Sequence, residues 1–156
     1  MSQYIQFFVK SLKGEFLPIG TFSRNCSIFT AFEEFCTFAV PYEKVAPITV
    51  KDLAYVKNGL EKKIKEVDQK ILEIEKTITI IAGCNNSIED KLNEIHNLNS
   101  EIEEWLDIKV ELESSKGYIS SLEEIIDSIY WDSDYNEEKY LYCGIEVGEN
   151  PEEIER

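Results

Sequence analysis

Leu53, Leu60, Val67, Ile74 and Ile81 recur every seven residues, and Ile64, Ile71 and Ile78 form a second sevenfold row between them. Gaps alternating four and three place both rows on one helix face, and about four such heptads read as a coiled-coil seam. Lys57 is the one polar side chain at a seam position. Pro47 stops any earlier element from running in, and Thr49 with Asp52 has the form of a capping box. Gly83 supplies the stop. A helix from Val50 to Ala82 would be about 50 Å long. A rod of that kind has to find a second apolar stripe.

Such a stripe begins almost at once. Ser87 with Asp90 again resembles a capping box, and Ile88, Leu92, Ile95, Ile102 and Leu106 continue an apolar row. The phase is less clean here. Asn99 and Lys109 fall on seam positions, while Leu98, Trp105, Ile108 and Leu112 lie to one side. Cys84-Asn85-Asn86 can do little except reverse the chain, so the spacing predicts an antiparallel helical hairpin. A turn centred on Asn85 pairs Ile81 with Ile88, Ile74 with Ile95 and Val67 with Ile102, and brings Lys62 to Asp107 and Lys65 to Glu104. The open alternative is a parallel oligomer on the first helix, which isoleucine at both seam rows favours. The second helix falters at Ser114-Ser115-Lys116-Gly117, where a kink or break is expected because interior glycine costs about 1 kcal/mol. Ile119, Leu122, Ile125, Ile126 and Ile129 then mark another amphipathic stretch ending near Trp131.

The aromatic residues lie elsewhere. All eight phenylalanines fall between Phe7 and Phe38, and a second aromatic group runs from Tyr118 to Tyr142, so both ends of the chain read as globular core. Gln3 to Leu12 and Glu15 to Thr21 form a hairpin around Lys13-Gly14, with Pro18 sending the second strand to an edge or ending it. Asn25 is placed to cap a helix whose face is Ile28, Phe29, Phe32, Phe35 and Cys36. Pro41 to Pro47 is an extended connector, and Lys139 to Val147 a third strand that pairs with the first two. The fold class is therefore α+β: a small ββα…β base of about three antiparallel strands plus helices, carrying an inserted antiparallel coiled-coil hairpin. Residues 1–48 with 117–147 make the base, 49–116 the arm and 148–156 a loose acidic tail.

Charge narrows the function. Sixteen basic residues stand against thirty-one acidic ones, a net −15, which argues against direct binding to nucleic acid or an anionic membrane. No apolar run approaches the roughly eighteen residues of a membrane span. Met1 to Gly14 lacks a basic leader and a small-residue cleavage site, so the expected setting is cytoplasmic, with Cys26, Cys36, Cys84 and Cys143 as free thiols. The cysteines are too scattered for a structural zinc site, and no phosphate loop, dinucleotide fingerprint, zinc-protease helix or nucleophile elbow is present. Asp132-Ser133-Asp134-Tyr135-Asn136 opens like a calcium loop, but Glu137 stands where the turn glycine belongs and Cys143 where the bidentate glutamate should be. His96, the one histidine, falls on the arm near Glu75, without a pocket around it. No catalytic group, cofactor or metal is expected.

The acidic excess is uneven: residues 1–83 are nearly neutral, 84–116 carry −6 and 117–156 carry −10. Glu101, Glu103, Glu104, Asp107, Glu111 and Glu113, followed by Glu123, Glu124 and Asp127, give the return helix a carboxylate face. Such a face keeps a protein soluble, and it can also occupy a groove built for a phosphate backbone. In size and charge alone the chain resembles small acidic phage proteins that block nucleic-acid-binding defence enzymes. Fourteen lysines against two arginines fit an AT-rich genome of that kind. The expected function is a non-catalytic protein–protein interaction module, an inhibitor or regulator of a basic nucleic-acid-handling protein. The alternative is a structural or assembly role with the arm as spacer or oligomerisation element, in a monomer or small homo-oligomer.

Overall fold

In the computed structural model, residues 2–10, 15–38, 45–129 and 141–148 are described. The chain begins with β1 (Ser2–Lys10) and β2 (Phe16–Ser23), followed by the short helix α1 (Ser27–Phe32) and a 3₁₀ turn at Glu33–Phe35. Two short strands, β3 (Thr37–Phe38) and β4 (Ala46–Ile48), lead into α2 (Val50–Ala82), α3 (Ile88–Ile129) and the closing strand β5 (Leu141–Gly148). The sheet order is β2-β1-β5-β3, with β4 also on β5. The closing strand is therefore central. It runs antiparallel to β1, while on its other edge β4 meets Leu141–Cys143 and the parallel strand β3 meets Gly144 and Ile145. This is the α+β fold with a helical hairpin.

Strand chemistry explains the placement. Pro18 has no N–H to donate, and β2, which holds it, is an edge strand. Phe7 pairs with Gly20 but Phe8 with Pro18, so Ile19 is the extra residue of a bulge. Alternation then sorts the β1 side chains. Ile5 and Phe7 join the core cluster with Phe29, Phe32, Leu53, Leu60, Leu122 and Cys143. Tyr4, Gln6 and Phe8 point to the opposite face and are also buried. Among the described residues neither side-chain polar atom of Gln6 finds a hydrogen-bond partner.

Helix α2 begins at the expected capping box: the Thr49 side chain accepts from the Asp52 N–H, and the Asp52 carboxylate accepts from the Thr49 N–H at 2.8 Å. It ends at Gly83, whose φ of −88° is not left-handed, so the glycine stops the helix without the usual reversal of backbone hand. Leu60, Val67 and Ile74 are buried and Ile64, Ile71, Ile78 and Ile81 half-buried, as a seam requires.

The second helix departs from expectation in three ways. It is continuous from Ile88 to Ile129, about 63 Å, with no break at Gly117. Leu112, Ile119 and Leu122 on either side are at most 6% exposed, and burial of each at about 1.5–3 kcal/mol outweighs the glycine penalty. The inward rows also differ. Ile95 and Ile102 are half-buried, but the remaining inward positions are Lys91, Leu98, Trp105, Lys109 and Leu112, while Ile88 and Leu92 are 76% and 62% exposed and Leu106 is exposed too. The seam thus keeps the expected row of Ile95 and Ile102, but its second row holds Leu98, Trp105 and Leu112 in place of Leu92 and Leu106. Finally, the register is displaced by about one heptad. Lys109 Nζ meets Asp68 at 2.7 Å and Lys116 Nζ meets Glu61 at 2.7 Å, and the predicted pairs Lys62–Asp107 and Lys65–Glu104 do not form. These partners hold the Glu61 carboxyl below and the Lys109 ammonium above their ordinary ranges.

At the base, α1 carries Ile28, Phe29 and Phe32 into the core, with Phe35 and Cys36 half-buried. Its N-cap is Cys26, which makes no side-chain cap, and not Asn25. Tyr118, from α3, lies 4.6 Å from the Phe22 ring and 5.6 Å from the Phe7 ring, directly over Gly20. The turn at 11–14, the connector at 39–44, the loop at 130–140 with its calcium-like run, and the tail at 149–156 lie outside the described residues.

Two glycines should respond oppositely to alanine. At Gly117 a Cβ meets nothing within 4 Å, so Gly117→Ala should raise unfolding free energy by about 0.5–1 kcal/mol in urea titrations. At Gly20 a Cβ would collide with the Tyr118 hydroxyl, so Gly20→Ala should cost about 1–3 kcal/mol, with partial recovery in the double variant with Tyr118→Phe. Burial also pushes the Tyr118 pKa up to about 12. A group whose folded value is raised contributes stability below its unfolded value, near pH 10, and loses it as pH rises through the folded one. Between pH 10 and 12 the wild type should therefore lose about 2–3 kcal/mol relative to Tyr118→Phe in parallel denaturation curves.

Candidate functional site

The carboxylates expected to form the acidic face all lie on α3, yet they do different things. Glu111 reaches across to α1, where its Oε1 accepts the Ser27 N–H at 2.8 Å. A carboxylate from another helix thus supplies the acceptor that Cys26 lacks, at the end where a helix favours negative charge. The Ser27 and Ser115 hydroxyls hydrogen-bond beside it, which satisfies a serine only 5% exposed. Glu123 pairs with Lys57 at 3.2 Å, both side chains about one-third exposed, which accounts for the lysine in the seam. Asp127 is exposed and also engaged.

Glu101, Glu103, Glu104, Asp107, Glu113 and Glu124 remain. All six are exposed, and among the described residues none has an ion-pair partner within 4.0 Å. With Leu98, Trp105 and Leu112 facing α2, Glu103, Glu104 and Asp107 fall on the outward side of α3, and Glu101 flanks the seam. Spread from Glu101 to Glu124 they span about 35 Å. No lysine or arginine stands on α3 between Lys91 and Lys109, so α3 itself contributes only negative charge from Glu101 to Asp107.

A second feature has no counterpart in the sequence reading. An open groove of about 720 Å³ lies between α1 with its 3₁₀ turn and α2, with Glu33 and Glu34 on one wall and Tyr55, Asn58, Lys62 and Lys63 on the other. Tyr55 is 64% exposed and meets Phe35 edge-on at 6.0 Å. Gly59, mid-helix, leaves the floor bare, since a Cβ there meets nothing within 4 Å. The available signals were an aromatic residue off the heptad rows and a glycine inside a strong helix.

His96 is exposed on α3, and its carbonyl accepts the Ser100 hydroxyl at 3.1 Å. Among the described residues no group of three or more His, Cys, Asp or Glu is placed to hold a metal ion. No helix among them is long and apolar enough to cross a membrane.

The split between internal and outward carboxylates is measurable. Glu111→Ala should lower unfolding free energy by about 1 kcal/mol through loss of the α1 acceptor, whereas Asp107→Asn should change it by less than about 0.5 kcal/mol. Urea midpoints for the two variants, at equal slope, check the assignment.

No known protein family matches this chain, and no curated protein or solved structure does either.

Proposed function

We propose that this chain is a non-catalytic protein–protein interaction module, an acidic inhibitor or regulator of a basic nucleic-acid-handling protein. Its action would be charge mimicry of the phage anti-defence type in a host cytoplasm. The observation that carries this reading is the set of exposed carboxylates at Glu101, Glu103, Glu104 and Asp107 on α3, which among the described residues have no ion-pair partner. Successive turns of a helix repeat charge at about 5.4 Å, close enough for neighbouring carboxylates to act jointly within a Debye length of about 8 Å. A groove lined with Lys and Arg responds to that pattern, with fast association and strong salt dependence.

Binding to the basic partner, recovered by pull-down from the native host, should weaken steeply as salt rises from 50 to about 300 mM. Replacing Glu101, Glu103, Glu104 and Asp107 by their amides should weaken it a further roughly 10–100-fold at low salt without changing the melting temperature. Salt-insensitive binding, or full affinity in the amide variant, removes the mimicry reading.

A structural or assembly role is the second reading, favoured by large apolar side chains off the seam. Ile80, Ile88, Leu92 and Val110 are 67%, 76%, 62% and 63% exposed. An assembly role predicts a mass that grows with concentration in light scattering and a shift to monomer when Ile88 and Leu92 become serine.

A further inference from the structure

The geometry points to Cys36 and Cys143 as a redox-modification site, a dithiol that a peroxide oxidises to an intramolecular disulfide. Their sulfur atoms lie 3.1 Å apart although 107 positions separate them in sequence. The sheet makes the juxtaposition. Thr37 and Phe38 pair in parallel with Gly144 and Ile145, so Cys36 and Cys143 occupy the preceding positions of adjacent strands. Neighbouring strands lie about 4.8 Å apart, inside the Cα separation of roughly 4.4–6.8 Å that a disulfide spans. Closing the bond asks the two sulfurs to approach by about 1 Å, which side-chain rotation supplies.

The two thiols are unequal. Cys36 is half-buried and is the sulfur a small oxidant reaches, whereas Cys143 is buried in the core cluster. The Cys36 thiol donates to the Cys143 sulfur, whose own S–H faces the Phe35 carbonyl at 3.8 Å. Once Cys36 is a thiolate, the Cys143 S–H is the donor between the two sulfurs, and that hydrogen bond, together with burial, pushes the Cys143 thiol up. Cys26 and Cys84 have no such partner: Cys26 meets the Ser23 hydroxyl, and Cys84 donates to the Ile80 carbonyl.

The chemistry balances in two steps. Cys36, as thiolate, attacks one oxygen of hydrogen peroxide; an S–O bond forms, the O–O bond breaks, and hydroxide leaves to take up the thiol's proton as water. The Cys143 sulfur then attacks the sulfenic sulfur of Cys36; the S–S bond forms, the S–O bond breaks, and the Cys143 proton departs with the hydroxyl group as a second water. Two thiols lose two electrons and the peroxide gains them. The bond would tie the 3₁₀ turn and β3 to β5 around the whole helical insertion. Closing so long a loop strongly restricts the unfolded chain. A dithiol reductant reverses it.

The test uses the full chain with hydrogen peroxide as oxidant, followed by denaturation, alkylation and peptide mass mapping. The expected result is a Cys36–Cys143 cross-linked peptide, 2 Da lighter than the reduced pair, with Cys26 and Cys84 alkylated. The melting temperature should rise by about 5 °C or more and return on adding dithiothreitol. Cys36→Ser, at the more exposed position, should abolish both changes while keeping the reduced protein's melting temperature within about 2 °C. Cys143→Ala provides a second check, leaving Cys36 to proceed to sulfinic acid. Alkylation of all four cysteines, arrest at Cys36 sulfinic acid in the wild type, or a cross-link through Cys26 or Cys84 would each overturn the assignment.

Discussion

The base of this molecule depends on packing between the lower turns of α2 and α3 and one face of the sheet. Among the described residues two of the five strands have only two or three residues, and a sheet this small is marginal without a covering layer. Leu53, Leu60, Ile119, Leu122 and Ile126 supply that layer, each at most 2% exposed, alongside Phe7, Phe29 and Phe32. The long helices are therefore part of the foundation as well as the arm. What fixes them at the bottom fixes them throughout, because α3 passes from base to arm without interruption.

This dependence explains which parts of the fold were legible. In α2 the apolar residues beyond Leu60 are almost confined to two rows, so periodicity alone identified the seam, the caps and the length. In α3 apolar side chains occupy competing rows, Leu92 with Leu106 against Leu98 with Trp105 and Leu112, and local pattern does not choose between them. The base chooses. Leu112 and Ile119 continue the second row into the core, and the rest of α3 follows in phase. The displaced register has the same origin, and a subtler signal for it existed. Lys109 and Lys116 are seven apart, as are Asp68 and Glu61, so two ion pairs form together in one register. The strands β3 and β4 are too short to show any period, and β5 defines them by pairing.

Charge was legible in total but not in role. Glu111 and Glu123 belong by composition to the same acidic run as Glu104 and Asp107, yet one completes α1 and the other neutralises Lys57. Nothing within eight residues of Glu111 announces Ser27, which lies 84 positions away. Long-range partners of this kind follow from the register, so an error of one heptad in the seam carries into every assignment of a surface carboxylate.

Continuity through Gly117 also shapes what the outer face can offer a partner. Glu103, Val110, Gly117 and Glu124 are successive members of one heptad row, with Val110 63% exposed and no atom near the missing Cβ of Gly117. A hinge at Gly117 would let the upper and lower carboxylates reorient independently. An unbroken helix holds Glu103 and Glu124 about 31 Å apart at a fixed angle. Any surface that engages both must lie over an exposed valine and a stretch of bare backbone between them. Charge at the two ends would then govern approach and orientation, while the centre would add apolar and close-range contact. The face is thus a graded one, and under the proposed function its affinity would not come from carboxylates alone.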